Sequence, residues 1–384
     1  MKSTFGDEMS RRAFIGSVGL GVTGAALAGC SQTAATPSER IPAPPSIAAW
    51  EQQWREWVTG AQREEQLSLV FVTAPNFQPA LDAFAIAFPG VKVTAQNFSS
   101  SSFVIPRAIE EQKAGIYSWD VAVSTFPSMM TTLKPAGGFE PIRTAIIRPD
   151  ITDDKAWDEG FENGFRDNEK KWVYIFNEYS SSGFAVNTEL VKEGEIKSVR
   201  DLLDPKWRGR MLLLDVRAGS FAWFLAIRRH LGVNALRQLI VDQQPVWTRD
   251  QRQLAEALVR GTYPVVLLPS KTYLEEFLIQ GLGKNVRLLD LPESRVTVGG
   301  AGGVWLMNKA PHPNAAKVFI NWLLTKEGQL AWNTAKTGNS RRLDVPAIDP
   351  EYNKVPGGTY FNTNREDMLA EVEEVRALVL EMIK

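Results

Sequence analysis

A chain of 384 residues with 44% hydrophobic and 23% charged residues describes an ordinary soluble globule with ample material for a core. Its net charge of −1 argues against nucleic acid or a strongly charged surface as partner. A single cysteine rules out an internal disulfide framework.

The chain opens with an address. Residues 9–32 read MSRRAFIGSVGLGVTGAALAGCSQ: two arginines, a short apolar run diluted by glycines, then Cys30. The run over residues 13–29 sits at the lower limit of what spans a bilayer, since a spanning helix needs about 20 predominantly apolar residues. A charged head, a short apolar middle and small residues before a cut site fit a signal peptide. Ser10-Arg11-Arg12-Ala13-Phe14-Ile15 resembles a twin-arginine signal, departing from it at Gly16. Leu27-Ala28-Gly29-Cys30 resembles a lipobox, which implies that Cys30 is lipidated and becomes the new N-terminus. Residues 1–30 are therefore expected to be the signal, leaving no thiol for disulfides, thiolate metal sites or cysteine catalysis. An exported protein of this kind must rest on its core. Residues 31–46, with Pro37, Pro42, Pro44 and Pro45, read as a flexible tether.

Residues 47–66 carry Trp50, Trp54 and Trp57 at helical spacing, one face packed on a core. Alternation then sets in. The spacing predicts strands at 67–73, 91–95 and 120–124, with helices at 77–88, 103–114 and 127–133. Residues 171–187 hold two short extended runs flanking Tyr179 and three serines. The pattern restarts with strands at 211–215, 264–268 and 287–291 and helices at 220–231, 249–260 and 272–281. Residues 295–308 carry Val298-Gly299-Gly300-Ala301-Gly302-Gly303-Val304, and helices are expected at 314–331 and 365–384. Strands alternating with helices of this length indicate βαβ units and parallel sheets. Two such blocks, each ending in a strand-like crossing, predict two lobes joined by a hinge.

Catalytic chemistry is scarce. His230 ends a helix, where a cation suits the dipole, and His312 sits in a turn before a helix. There is no Gly-x-Ser-x-Gly elbow, no His-Glu-x-x-His and no phosphate-cradling Gly-x-x-x-x-Gly-Lys-Ser/Thr. The glycines at 299–303 depart from the dinucleotide fingerprint and read as permissive backbone at a close approach. Polar loops at the carboxyl ends of strands are the stronger signal, because ligands on α/β sheets gather there. In the first block these loops supply Thr73, Asn76, Ser100, Ser101 and Thr125. In the second they supply Arg217 and Ser220, then Lys271 and Tyr273.

A resemblance covers nearly all of the chain after the tether. Residues 57–72 run through Glu64-Glu65 into a first strand. Tyr179-Ser180-Ser181-Ser182-Gly183-Phe184-Ala185-Val186-Asn187 is a crossing segment. Asp201-Leu202-Leu203-Asp204-Pro205-Lys206-Trp207-Arg208-Gly209-Arg210 and Ala310-Pro311-His312-Pro313-Asn314 through Glu327-Gly328-Gln329 complete the set. Together they resemble the substrate-binding proteins of ABC importers that take iron, polyamines, thiamine or phosphorylated organic anions. The resemblance implies an α/β, two-lobed periplasmic-binding-protein fold, each lobe a mixed, mostly parallel sheet flanked by helices, with ligand in the interlobe cleft. It implies lobe one over 47–182, lobe two over 183–295, a return crossing at 296–310, and helices within 311–384 packing on the lobes. It implies a binder without catalysis or cofactor, exported, lipid-anchored at Cys30, monomeric, and partnered by an inner-membrane permease.

Iron-binding members present adjacent tyrosines after a strand of lobe two. Here Lys271-Thr272 stands there, with Tyr273 beside it, and a lysine opposes a hard cation. Polyamine binders need cleft acids, and the loops supply only Asp215. A small organic anion is therefore expected, with Tyr179 at the hinge among the ligand contacts and no metal. Ferric iron, a polyamine, or a secreted α/β enzyme are the alternatives.

Overall fold

The computed structural model describes residues 47–384 apart from 73, 75, 99, 220, 270 and 336. The signal, the tether and Cys30 lie outside the described residues. Helix α1 (Ile47–Glu64) runs into β1 (Gln66–Val72), followed by α2 (Gln78–Ala87), β2 (Lys92–Phe98), α3 (Ser101–Lys113) and β3 (Val121–Ser124). Short pieces come next: α4 (Phe126–Ser128), β4 (Phe139–Glu140), α5 (Pro149–Thr152) and β5 (Tyr174–Ile175). The chain crosses through β6 (Asn177–Ser181) to β7 (Phe184–Asn187). It continues as β8 (Met211–Leu214), α6 (Phe221–Arg237), β9 (Val246–Thr248), α7 (Gln251–Val259), β10 (Val265–Leu267), α8 (Lys271–Ile279) and β11 (Val286–Leu288). It returns through β12 (Val296–Val298) to β13 (Gly303–Met307). The last elements are α9 (Pro313–Leu324), α10 (Lys326–Trp332), β14 (Asn339–Ser340), β15 (Phe361–Asn362) and α11 (Leu369–Met382).

The first lobe is built on a sheet of order β2-β1-β3-β13-β4, with β5 also on β13. Strands β2, β1 and β3 are parallel, and β13 enters antiparallel to β3. Leu69 and Phe71 face one core cluster, with α1, α2 and α9, while Val70 and Val72 face another that includes Val104 and Ile105 of α3. Burial on both faces is why β1 reads as a continuous apolar run rather than an alternating one. The second lobe has the order β11-β7-β10-β8-β9, with β10, β8 and β9 parallel and β7 antiparallel between β10 and β11.

A third sheet, β14-β6-β12-β15, forms the hinge. The crossing strands β6 and β12 pair antiparallel, and Ser180 and Thr297 join hydroxyls across them at 3.0 Å. The glycines before β13 are required by close approach: a Cβ on Gly302 would lie 1.9 Å from the carbonyl oxygen of Asn177. Strands β14 and β15 are two residues each and carry no sequence pattern of their own; they form because the crossings offer them free edges. The C-terminal part then divides. Phe319, Trp322 and Trp332 of α9 and α10 enter the first-lobe core, and Val372, Val375 and Val379 of α11 enter the second.

The helix expected over 314–331 is two helices. Thr325 is extended (φ −71°, ψ 165°), and its Oγ1 accepts the Gly328 N–H at 3.1 Å, ending α9 and capping α10. Among the described residues no helix is long and apolar enough to cross a membrane.

Candidate functional site

A cleft of about 660 Å³ lies between the lobes, floored by the hinge. Its first-lobe wall carries hydroxyls: Ser100, Ser101, Thr125, Ser128, Thr131 and Thr132. The first three stand where β2 and β3 end and α3 and α4 begin, and Ser128, Thr131 and Thr132 follow at the end of α4 and in the helical turn over Met129–Leu133. Ser100 N-caps α3, accepting the Ser102 N–H at 3.2 Å, and Ser101 and Ser128 share a hydroxyl contact at 2.7 Å. The opposite wall is the turn after β8, with Arg217 and Gly219, and the start of α6, with Phe221 and Trp223. Two helices, α3 and α6, thus start at the cleft, one from each lobe, and their dipoles favour negative charge there.

Arg217 is held in place. Asp215 accepts its backbone N–H at 2.8 Å and its Nε at 2.9 Å. The two Nη groups have no partner among the described residues, and the side chain is 44% exposed. Tyr179 forms part of the floor and packs on Tyr352 at 5.1 Å between ring centroids. Burial pushes the Tyr179 phenol well above its ordinary pKa, and the neighbouring Tyr352 phenol is pushed up, chiefly by burial, to about 12. The remaining wall comes from the C-terminal segment: Thr363, Asn364, Glu373 and Arg376. Glu373 and Arg376 form a loose pair at 3.6 Å.

Of the residues expected at the site, Ser100, Ser101, Thr125, Tyr179 and Arg217 meet around this cleft. Thr73 and Ser220 lie outside the described residues. Three others are placed elsewhere. Asn76 is exposed at the end of the first lobe, its carbonyl accepting the Thr334 hydroxyl at 3.3 Å. Lys271 pairs with Asp349 and, at 2.5 Å, with Glu351, so its charge is matched inside the chain. Tyr273 packs with the α7–α8 cluster, under Arg252 at 5.9 Å. The contributions of Glu373 and Arg376 were not legible in sequence, because the last helix reads as an acidic surface helix, nor was that of Asn364, which follows a strand of two residues. Among the described residues no group of three or more His, Cys, Asp and Glu side chains is arranged to hold a metal ion.

Two α/β lobes, a hinge of crossing strands and a ligand-sized cleft between them define a two-lobed periplasmic-binding-protein fold. Residues 80–356 match the bacterial extracellular solute-binding proteins, and the chain belongs to that family. Solved structures agree on the fold. Iron-bound HitA from Pseudomonas aeruginosa is similar at TM-score 0.63 and 16% identity, covering 83% of this chain and 99% of that one. AfuA from Actinobacillus pleuropneumoniae, with fructose-6-phosphate bound, is similar at TM-score 0.58 and 19% identity, covering 83% and 98%. The spermidine/putrescine ABC transporter substrate-binding protein PotD from Streptococcus pneumoniae gives TM-score 0.61 and 14% identity, covering 83% and 99%. No curated protein matches.

Proposed function

We propose that this solute-binding protein captures a small organic anion in the interlobe cleft and delivers it to an inner-membrane ABC permease. The observation that carries the reading is the facing of two helix starts across the cleft, with the Nη groups of Arg217 and the first-lobe hydroxyls between them. Helix N-termini and a guanidinium both favour an oxyanion. Hydroxyls donate or accept as the ligand requires. The fructose-6-phosphate bound to AfuA is a ligand of that charge on a similar scaffold.

The same features oppose the cationic readings. A ferric ion draws on tyrosinate or carboxylate oxygens, and burial around the cleft tyrosine, Tyr179, raises its pKa and so disfavours the tyrosinate. A polyamine needs unpaired cleft acids, and Glu373 already faces Arg376. We take residues 47–182 with the return at 296–310 as lobe one and 183–295 as lobe two. The protein works as a monomer, exported and held to the membrane by lipid on Cys30. It binds without turnover.

Thermal unfolding with a panel of carboxylates and phosphates, spermidine and ferric ion tests the reading. At 100-fold over Kd a ligand adds about 2.7 kcal/mol to stability. A shift with an anion supports the proposal. A shift with spermidine or ferric ion alone overturns it.

A further inference from the structure

We infer that Asn364 and Trp223 are hydrogen-bond donors that read acceptor oxygens of the ligand at the hinge end of the cleft. This rests on the anion reading above and deepens it. Both side chains line the cleft, and both are more than nine-tenths buried, at 4% and 3% exposure. Yet Asn364 Nδ2 and Trp223 Nε1 have no hydrogen-bond partner among the described residues. Buried polar groups are normally paired, and an unpaired one costs the desolvation of its N–H. Two unpaired donors on one cleft are therefore a feature that a ligand's acceptors would complete.

Their placement ties them to the hinge. A Cβ on Gly183, between the first crossing strands, would lie 2.5 Å from Trp223 Nε1. A Cβ on Gly299, in the second crossing, would lie 3.0 Å from Asn364 Nδ2. The Thr363 N–H donates to the Thr297 carbonyl at 3.2 Å, and the Asn364 N–H donates to Asn362 Oδ1 at 3.0 Å. The hinge sheet thus fixes the backbone that carries the carboxamide. Trp223 stands in the first turn of α6, the helix whose preceding loop carries Arg217. The indole has no acceptor nitrogen, so it selects oxygens and rejects ammonium groups.

The test uses ¹⁵N-labelled protein titrated with inorganic phosphate, citrate and fructose-6-phosphate. The Trp223 indole signal is identified as the one missing from Trp223→Phe. It should move downfield on saturation with the anion that binds. Trp223→Phe should weaken that anion about tenfold, and Asn364→Asp, which turns a donor into a charge of the wrong sign, about a hundredfold. If the anion binds, the indole signal stays still and both variants bind within twofold of wild type, this inference fails and the anion reading stands. If wild type binds none of the three anions, both fail.

Discussion

Substituting Glu178 by Gln should destabilise the protein more than any other isosteric change at the hinge. Glu178 lies on β6 with its side chain 8% exposed. Arg166 Nη2 donates to its two oxygens at 3.0 and 3.1 Å, Asn362 Nδ2 donates at 3.0 Å, and Arg341 Nε sits 3.5 Å away. The two guanidiniums are themselves buried, at 4% and 3%. Burial already lowers the Arg166 pKa, with the Glu178 charge opposing it. Gln keeps the shape and one acceptor but removes the only buried carboxylate that pairs with them among the described residues; Glu159, at 4.0 Å from Arg166, is 49% exposed. Breaking a buried pair in this way costs about 3–5 kcal/mol. With a urea slope of about 3 kcal/mol/M, the midpoint should fall by about 1 to 1.7 M. The assay is urea unfolding at pH 7 followed by circular dichroism. A Glu178→Gln midpoint equivalent to less than about 1 kcal/mol of loss would refute the reasoning, since that is the range of an exposed pair.

Other consequences follow from the hinge, the anchor and the last helix. Small-angle scattering should show a more compact particle with saturating ligand, because a ligand touching both lobes favours the closed state by its differential affinity; identical profiles would count against a closing hinge. Radiolabelled fatty acid should enter the wild type and not Cys30→Ala, and equal labelling would remove the lipid anchor. The Arg229 guanidinium, bonded to Glu371, holds that carboxyl below its ordinary pKa of 4.5. The folded state therefore binds this proton less tightly than the unfolded chain. The clamp of α11 on α6 is complete above pH 4.5 and is lost as pH falls through the lower folded value. As pH falls from 4.5 through the lower folded value, wild type should lose stability faster than Glu371→Gln, and parallel curves would exclude the effect.

The alternation of strands and helices was readable because the central strand β1 is buried on both faces, so Leu69, Val70, Phe71 and Val72 are all apolar. The serine and threonine loops at the ends of β2 and β3 were readable because strand ends in such sheets are where ligands gather. Lys271 misled for a physical reason. It stands at a strand end as expected, but its partners Asp349 and Glu351 lie far along the chain in a segment without secondary-structure pattern. Asn364 and Arg376 were hidden for the converse reason. One is fixed by a hinge strand two residues long, and the other lies on a helix whose acidic composition reads as solvent-facing.

Native mass spectrometry of the protein purified without denaturation tests the central claim most directly. Wild type should carry one small organic anion per chain, and Arg217→Ala, which removes the cleft guanidinium, should emerge without it. Wild type carrying iron or a polyamine, or Arg217→Ala retaining the same anion at full occupancy, would contradict the account.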